Sequence, residues 1–333
     1  MIVRKTDFDK NVPNPADPEK GGCSGKAKPD HEPKSVAGWI RYATERLEQA
    51  ELCFANGMQE PYLEAEYLVL HTFSIPMSTP RTRRPKPPVN AATLIEAMLD
   101  QRIGQRLPAA YVTREAFFAG RVFYVDERVL IPRSRIENIM DDPLGFSPWL
   151  NRRQVRRILD LGTGSGCLAI TLALMFPRAR VDAVDVSAAA LAVAEVNRQR
   201  FDLQQRVNLV RSDVFAGLAG QSYDLIVSNP PYVPQADFEQ VPPEYRHEPM
   251  LALAAGADGL DLLGPMLHQA PDYLTPGGVL ICETGDDVQT ILMDRWPDLP
   301  LEWIPFHFGA SGVFAVHKEP LLAWREQNNR THS

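Results

Sequence analysis

The feature that most restricts this chain is a rhythm of short apolar runs and helical stretches from Arg157 to about His317. Apolar runs fall at Ile158 to Leu161, Val181 to Val186, Val207 to Val210, Leu225 to Val227 and Val279 to Cys282. Helical patterns stand between them at Leu168 to Met175, Ala188 to Arg198, Leu260 to Tyr273 and Val288 to Trp296. Such alternation predicts an α/β domain, a doubly wound parallel sheet with helices on both faces. Leu301 to Pro305 and Gly312 to Val316 have no helix between them, so they are expected to pair as an antiparallel hairpin at the end of the sheet.

Before this domain the texture differs. Residues 1 to 34 hold five prolines and little apolar surface after Val12, which predicts a disordered tail. Three helices are expected next, forming a small N-terminal bundle over residues 35–108. One lies behind a Ser35 cap and stops at Asn56-Gly57, one starts at Pro61, and one starts behind Asn90. Thr79 to Pro88, with four basic residues and four prolines, reads as an exposed connector. Aromatic and β-branched residues from Tyr111 to Val125, broken by Gly120, predict a β-hairpin joining the two domains within a linker region 109–154. The catalytic domain is placed at 155–320 and a C-terminal tail at 321–333.

Composition excludes several classes. With 35 basic and 42 acidic residues the net charge is −7, so no direct nucleic-acid partner is expected. Cys23, Cys53, Cys167 and Cys282 are scattered without Cys-x-x-Cys or histidine spacing, so no metal is expected and a reducing compartment is. No apolar run approaches the ~20 residues of a membrane span, and no signal peptide is evident, so a cytoplasmic location and no membrane partner are expected.

The first strand of the α/β region runs into Asp160-Leu161-Gly162-Thr163-Gly164-Ser165-Gly166. Glycines there allow a tight turn and let a ligand lie against bare backbone. A nicotinamide cofactor would want the third glycine at position 167, which is cysteine, and a P-loop lysine is absent. Asp185, ending the second strand, is placed to accept hydrogen bonds from two ribose hydroxyls. Asp213, ending the third, is placed to accept from an adenine amino group. Asp160 can face an amine or a sulfonium. Carboxylates in these places suit a cationic cofactor over a phosphorylated one; S-adenosylmethionine fits.

After the fourth strand comes Ser228-Asn229-Pro230-Pro231-Tyr232. Two prolines at a strand's C-terminal end fix a rigid turn whose neighbouring carbonyls point outward, at the edge where open α/β sheets bind ligands. The Asn229 side-chain carbonyl and the Pro230 backbone carbonyl supply two acceptors and Tyr232 an aromatic face, a match for a planar NH2 group. Accepting both N–H bonds shifts electron density onto a poorly nucleophilic amide nitrogen, so positioning and electrostatics suffice without a strong base.

These residues resemble the S-adenosylmethionine-dependent methyltransferases with an Asn-Pro-Pro-Tyr signature that modify protein glutamine side chains. The likeness covers roughly 36 to 318. It implies a class I methyltransferase fold, Rossmann-like with an antiparallel last strand, beside a small helical domain. It implies cofactor contacts from Asp160, Gly162, Thr163, Gly164, Ser165, Gly166, Asp185, Val186, Asp213, Val214 and Asn229. Catalysis would fall to Asn229, Pro230, Pro231 and Tyr232, with Phe118 walling the substrate pocket. Arg133 either binds the substrate backbone or holds the hairpin against the catalytic domain. The stretches Phe123 to Glu137 and Pro242 to Pro249 look like the branch acting on ribosomal protein L3, although Arg135 stands where that branch is expected to have proline. The other branch acts on peptide-chain release factors. Adenine-N6 methylation of DNA, which uses a similar turn, is the rival substrate class. Oligomeric state is left open.

Overall fold

A computed structural model describes residues 32–54, 58, 60–141, 145–238, 240–306 and 312–331. The expected tail therefore lies almost wholly outside the described residues, as does the Asn56-Gly57 stop. The chain divides into two compact units, Met1–Thr113 and Arg114–Ser333.

In the first unit, α1 (Val36–Glu48), α2 (Pro61–Thr72) and α3 (Ala91–Leu99) are followed by a π-turn at Asp100–Gly104 and the short α4 (Ala109–Thr113). The Ser35 hydroxyl accepts from Gly38 N at 3.1 Å, so the expected cap forms. Asn90 makes no side-chain cap, because its backbone is not in the extended conformation that turns the side chain onto the first turn. Trp39, Ile40, Ala43, Leu47, Leu68, Val69 and Ile95 make one apolar core. The basic connector is tied down through Glu66, which pairs with Arg84 at 2.7 Å and with Arg81 at 3.5 Å.

The second unit opens with a hairpin, β1 (Glu115–Phe118) and β2 (Arg121–Tyr124), turned by Ala119 and Gly120 at φ +47° and +70°. Then follow α5 (Ile136–Asp141), β3 (Arg157–Leu161), α6 (Cys167–Met175), β4 (Arg180–Asp185), α7 (Ala188–Arg200), β5 (Val207–Arg211) and β6 (Tyr223–Ser228). The remaining elements are α8 (Gln235–Phe238), α9 (Leu263–Tyr273), β7 (Leu274–Glu283), α10 (Asp286–Arg295), β8 (Glu302–Trp303), β9 (Val313–His317) and α11 (Lys318–Thr331).

Among the described residues, seven strands form one sheet in the order β5-β4-β3-β6-β7-β9-β8. The pairings from β5 through β7 are parallel, and β9 runs antiparallel between β7 and β8. The order reverses between β3 and β6, which places the switch-point crevice beyond the C-terminal ends of those two strands. Apolar cores cover both faces of the sheet. Cys282 is buried in one of these cores, and Cys167, half-buried, packs against the other.

The expected tail at 321–333 is corrected: residues to Thr331 form α11. Pro320 sits in its first turn, where a missing N–H costs nothing, and Leu321 and Trp324, three apart, are buried. Trp324 meets Trp296 and His268 edge-on.

Candidate active site

The glycine loop leaves β3 with Gly162, Gly164 and Gly166 at φ +73°, +53° and +81°, all left-handed. A methyl group added at Gly162 or Gly164 would meet nothing within 4 Å, so the loop borders open space there. At Gly166 it would lie 3.3 Å from Ala194 Cβ, so that glycine serves the approach of α7. Gly162 N and Thr163 N donate to Val184 O at 2.9 and 2.8 Å, which anchors the loop to β4.

Asp160 is fully buried. Its Oδ2 accepts from Thr163 Oγ1 at 2.6 Å and Ala169 N at 3.1 Å, while Oδ1 has no partner. Burial pushes its carboxyl up to about 7 against the opposing pull of those two donors. Asp185 accepts from Ser187 N on Oδ1 and from Gly164 N on Oδ2, both at 2.9 Å. Burial raises its carboxyl too, with the backbone N–H groups opposing. Each oxygen keeps a lone pair for another donor. Val186 next to it is 45% exposed. Thr163 and Ser165 are buried, and Asp213 is exposed at the end of β5. Val214 adopts φ +45°, a costly conformation for a β-branched residue and one that clusters at functional sites.

The diproline turn follows β6 directly. Ser228 Oγ donates to Leu161 O at 2.8 Å, which brings the turn beside the glycine loop. Asn229 Nδ2 donates to Arg133 O at 3.1 Å, and Asn229 Oδ1 is buried without a partner. The amide orientation is thus set by one hydrogen bond, and the oxygen is left able to accept. Pro230 is buried and Pro231 half-buried. Burial, aided by the Glu283 charge, holds the Tyr232 hydroxyl well above its ordinary value, so it stays protonated. Its ring lies against Gly285, where an added methyl would stand 3.1 Å from Cδ2. Its carbonyl lies against Gly259, where an added methyl would stand 2.6 Å away.

Arg133 pairs with the segment that follows the diproline turn. Its Nη1 donates to both oxygens of Glu248 at 2.9 and 2.8 Å, and its guanidinium lies 5.2 Å from the Tyr245 ring centre. Burial works against its charge, but the Glu248 carboxylate outweighs that and holds the guanidinium firmly protonated. Phe118, read as walling the substrate pocket, is 1% exposed and meets Phe123 edge-on, because the alternation of β1 turns Ala116 and Phe118 inward.

Three residues that carry this geometry were not singled out for it from the sequence. Asn197, fully buried on α7, donates from Nδ2 to Tyr124 O and Ser165 O, each at 2.9 Å, and accepts from Tyr124 N at 2.7 Å. Glu283, ending β7, accepts from Ser134 Oγ at 2.6 Å and Arg135 N at 2.8 Å. Gly285 makes room for Tyr232. Asn197 carried a signal, since it falls on the buried stripe Ala190, Val193, Ala194, Asn197.

The sheet order, the antiparallel β9, the open glycine loop and the paired carboxylates define a class I S-adenosylmethionine-dependent methyltransferase. A family model described as methyltransferase small domain matches residues 146–242. The chain is 42% identical over 301 residues to a ribosomal protein uL3 glutamine methyltransferase of Burkholderia pseudomallei, covering 87% of this chain and 96% of that one. It is 42% identical over 296 residues to the protein of that description from Xanthomonas campestris, covering 87% and 93%. A solved methyltransferase from Pyrococcus furiosus is 19% identical, covers 59% of this chain and 88% of its own, and superposes with a TM-score of 0.43. The chain belongs to the ribosomal protein uL3 glutamine methyltransferase family.

Proposed function

We propose that the chain transfers a methyl group from S-adenosylmethionine to the side-chain amide nitrogen, N5, of a glutamine in ribosomal protein L3. The observation that carries this reading is the buried, unpartnered Oδ1 of Asn229, beside a glycine loop that borders open space. A buried carbonyl without a donor is costly, and a substrate N–H removes that cost on binding. The L3 assignment is supported by the two curated relatives, which carry that substrate in their names.

When bound, the cofactor supplies an electrophilic methyl group on a sulfonium. Gly162 and Gly164 leave its place clear, Asp185 offers the second lone pair of each oxygen to ribose hydroxyls, and the Asp160 carboxylate offers an unpartnered oxygen to a cationic group. Val186, Asp213 and Val214 border the adenine side. Asn229 Oδ1 and Pro230 O accept the two amide hydrogens while Tyr232 covers the π face. Holding both hydrogens favours the pyramidal nitrogen needed for attack, and alignment supplies much of the acceleration.

The test is incubation with radiolabelled S-adenosylmethionine and, separately, purified uL3, purified release factor and DNA oligonucleotides. Label is expected in uL3 and in a glutamine N5-methyl after digestion. Label confined to release factor or to DNA overturns the substrate assignment. No helix among the described residues is long and apolar enough to cross a membrane.

A further inference from the structure

The side-chain amide of Asn229 has two orientations half a turn apart, one presenting its oxygen and the other its NH2. Only the first can accept from a substrate amide; the second sets donor against donor. The hydrogen bond from Nδ2 to Arg133 O, at 3.1 Å, is what selects between them. That carbonyl belongs to an irregular stretch outside any strand or helix, so side chains must fix its position.

Glu248 does so from one side. Its Oε2 accepts from Ile131 N at 2.9 Å, and both of its oxygens accept from Arg133 Nη1. It is 3% exposed. Glu283 holds the other side through Ser134 and Arg135 N. Glu248 also belongs to the segment that returns to the diproline turn, where Val233 N donates to Leu253 O and Ala255 N donates to Val233 O, both at 2.9 Å. One segment therefore reaches the turn beyond Tyr232 and, through Glu248, the backbone that orients Asn229.

We infer that Glu248 is a positioning residue that sets the hydrogen-bonding polarity of Asn229 through the backbone of Arg133. A buried ion pair is poor evidence for stability and better suited to fixing one arrangement among several. The inference rests on the amide-accepting role of Asn229 proposed above.

The experiment compares full-length wild type, Glu248→Gln and Glu248→Ala by uL3 methylation, cofactor calorimetry and spectra of selectively 15N-asparagine-labelled protein. The Asn229 side-chain NH2 signal is assigned by its loss in Asn229→Ala. In Glu248→Gln, kcat is expected to fall about tenfold with cofactor Kd within about twofold, and the Asn229 NH2 signal to move. Asn229→Asp presents an acceptor in either orientation, so removing Glu248 should cost about twofold or less in that background. An equal loss in both backgrounds, or an unmoved Asn229 signal in both Glu248 variants, overturns the inference. If Glu248→Ala does not fold, Glu248→Gln decides by the same criteria. Wild type that fails to methylate uL3 refutes the substrate reading alone, since the Asn229 signal still decides the positioning role.

Discussion

Asn197 satisfies both backbone groups of Tyr124 with one side chain, accepting from its N–H at 2.7 Å and donating to its carbonyl at 2.9 Å. The same amide nitrogen donates to Ser165 O, so the hairpin strand and the glycine loop are pinned by a single residue. Asn197→Ala removes three hydrogen bonds, one buried and two partly buried. It should destabilise the protein by about 2–4 kcal/mol and weaken cofactor binding, read by chemical denaturation and calorimetry. Unchanged cofactor affinity would limit Asn197 to the hairpin.

Asn229→Ala should reduce turnover by about 100- to 1000-fold, the scale of losing one oriented donor or acceptor at a reacting centre. Cofactor Kd should stay within about twofold, because the lost acceptor faces the amide. Single-turnover methylation alongside calorimetry separates the two.

The Asp160 carboxyl, raised to about 7, gives a pH dependence whose sign can be worked out. The folded state holds this proton more tightly than the unfolded state, so its contribution to stability is complete below the unfolded value of about 4 and is lost as pH rises through about 7. Asp160→Asn should flatten that decline in the cofactor-free protein, by at most ~4 kcal/mol at alkaline pH. Cofactor affinity should run the opposite way in wild type, rising as the carboxylate ionises, and should lose this rise in Asp160→Asn. Melting temperature and calorimetry at several pH values provide the check.

Gly164→Ala tests the open side of the loop. The added methyl meets nothing within 4 Å, so the folding penalty is confined to the left-handed backbone, about 1–2 kcal/mol. It projects into the space assigned to the cofactor, so KM for S-adenosylmethionine should rise at least about tenfold. A large loss of stability with unchanged KM would place the cofactor elsewhere.

Glu64 and Arg102 form a buried pair in the first unit at 2.6 Å, with side chains 5% and 1% exposed. Glu64→Ala removes the carboxylate from the buried guanidinium, which keeps its bond to Cys53 O, and should cost about 3–5 kcal/mol, whereas Glu64→Gln should cost less. Denaturation curves of the two variants give the comparison.

The sheet was legible because its strands are runs of Val, Ile and Leu buried on both faces, and because three glycines sit where β3 must turn sharply. The diproline turn was legible because proline cannot donate to a ladder. The bundle helices were legible from their apolar spacing. The roles of Asn197 and Glu283 were not, since each depends on partners distant in the chain: Asn197 is 73 residues from Tyr124, and Glu283 is 149 from Ser134. Only pairing in space makes a polar side chain affordable in such surroundings. The helix over Lys318–Thr331 was hidden by its charged residues, because among the described side chains only Leu321 and Trp324 are buried.

The placement of β9 between β7 and β8 has a consequence for synthesis. Any nascent chain stopped short of residue 313 presents the naked edge of β7, already rich in Val, Leu and Ile, as a template for intermolecular pairing. Among the described strands, the last in chain order is an interior one. Ribosome stalling or premature termination late in the message should thus yield aggregates rather than a shortened but tractable enzyme.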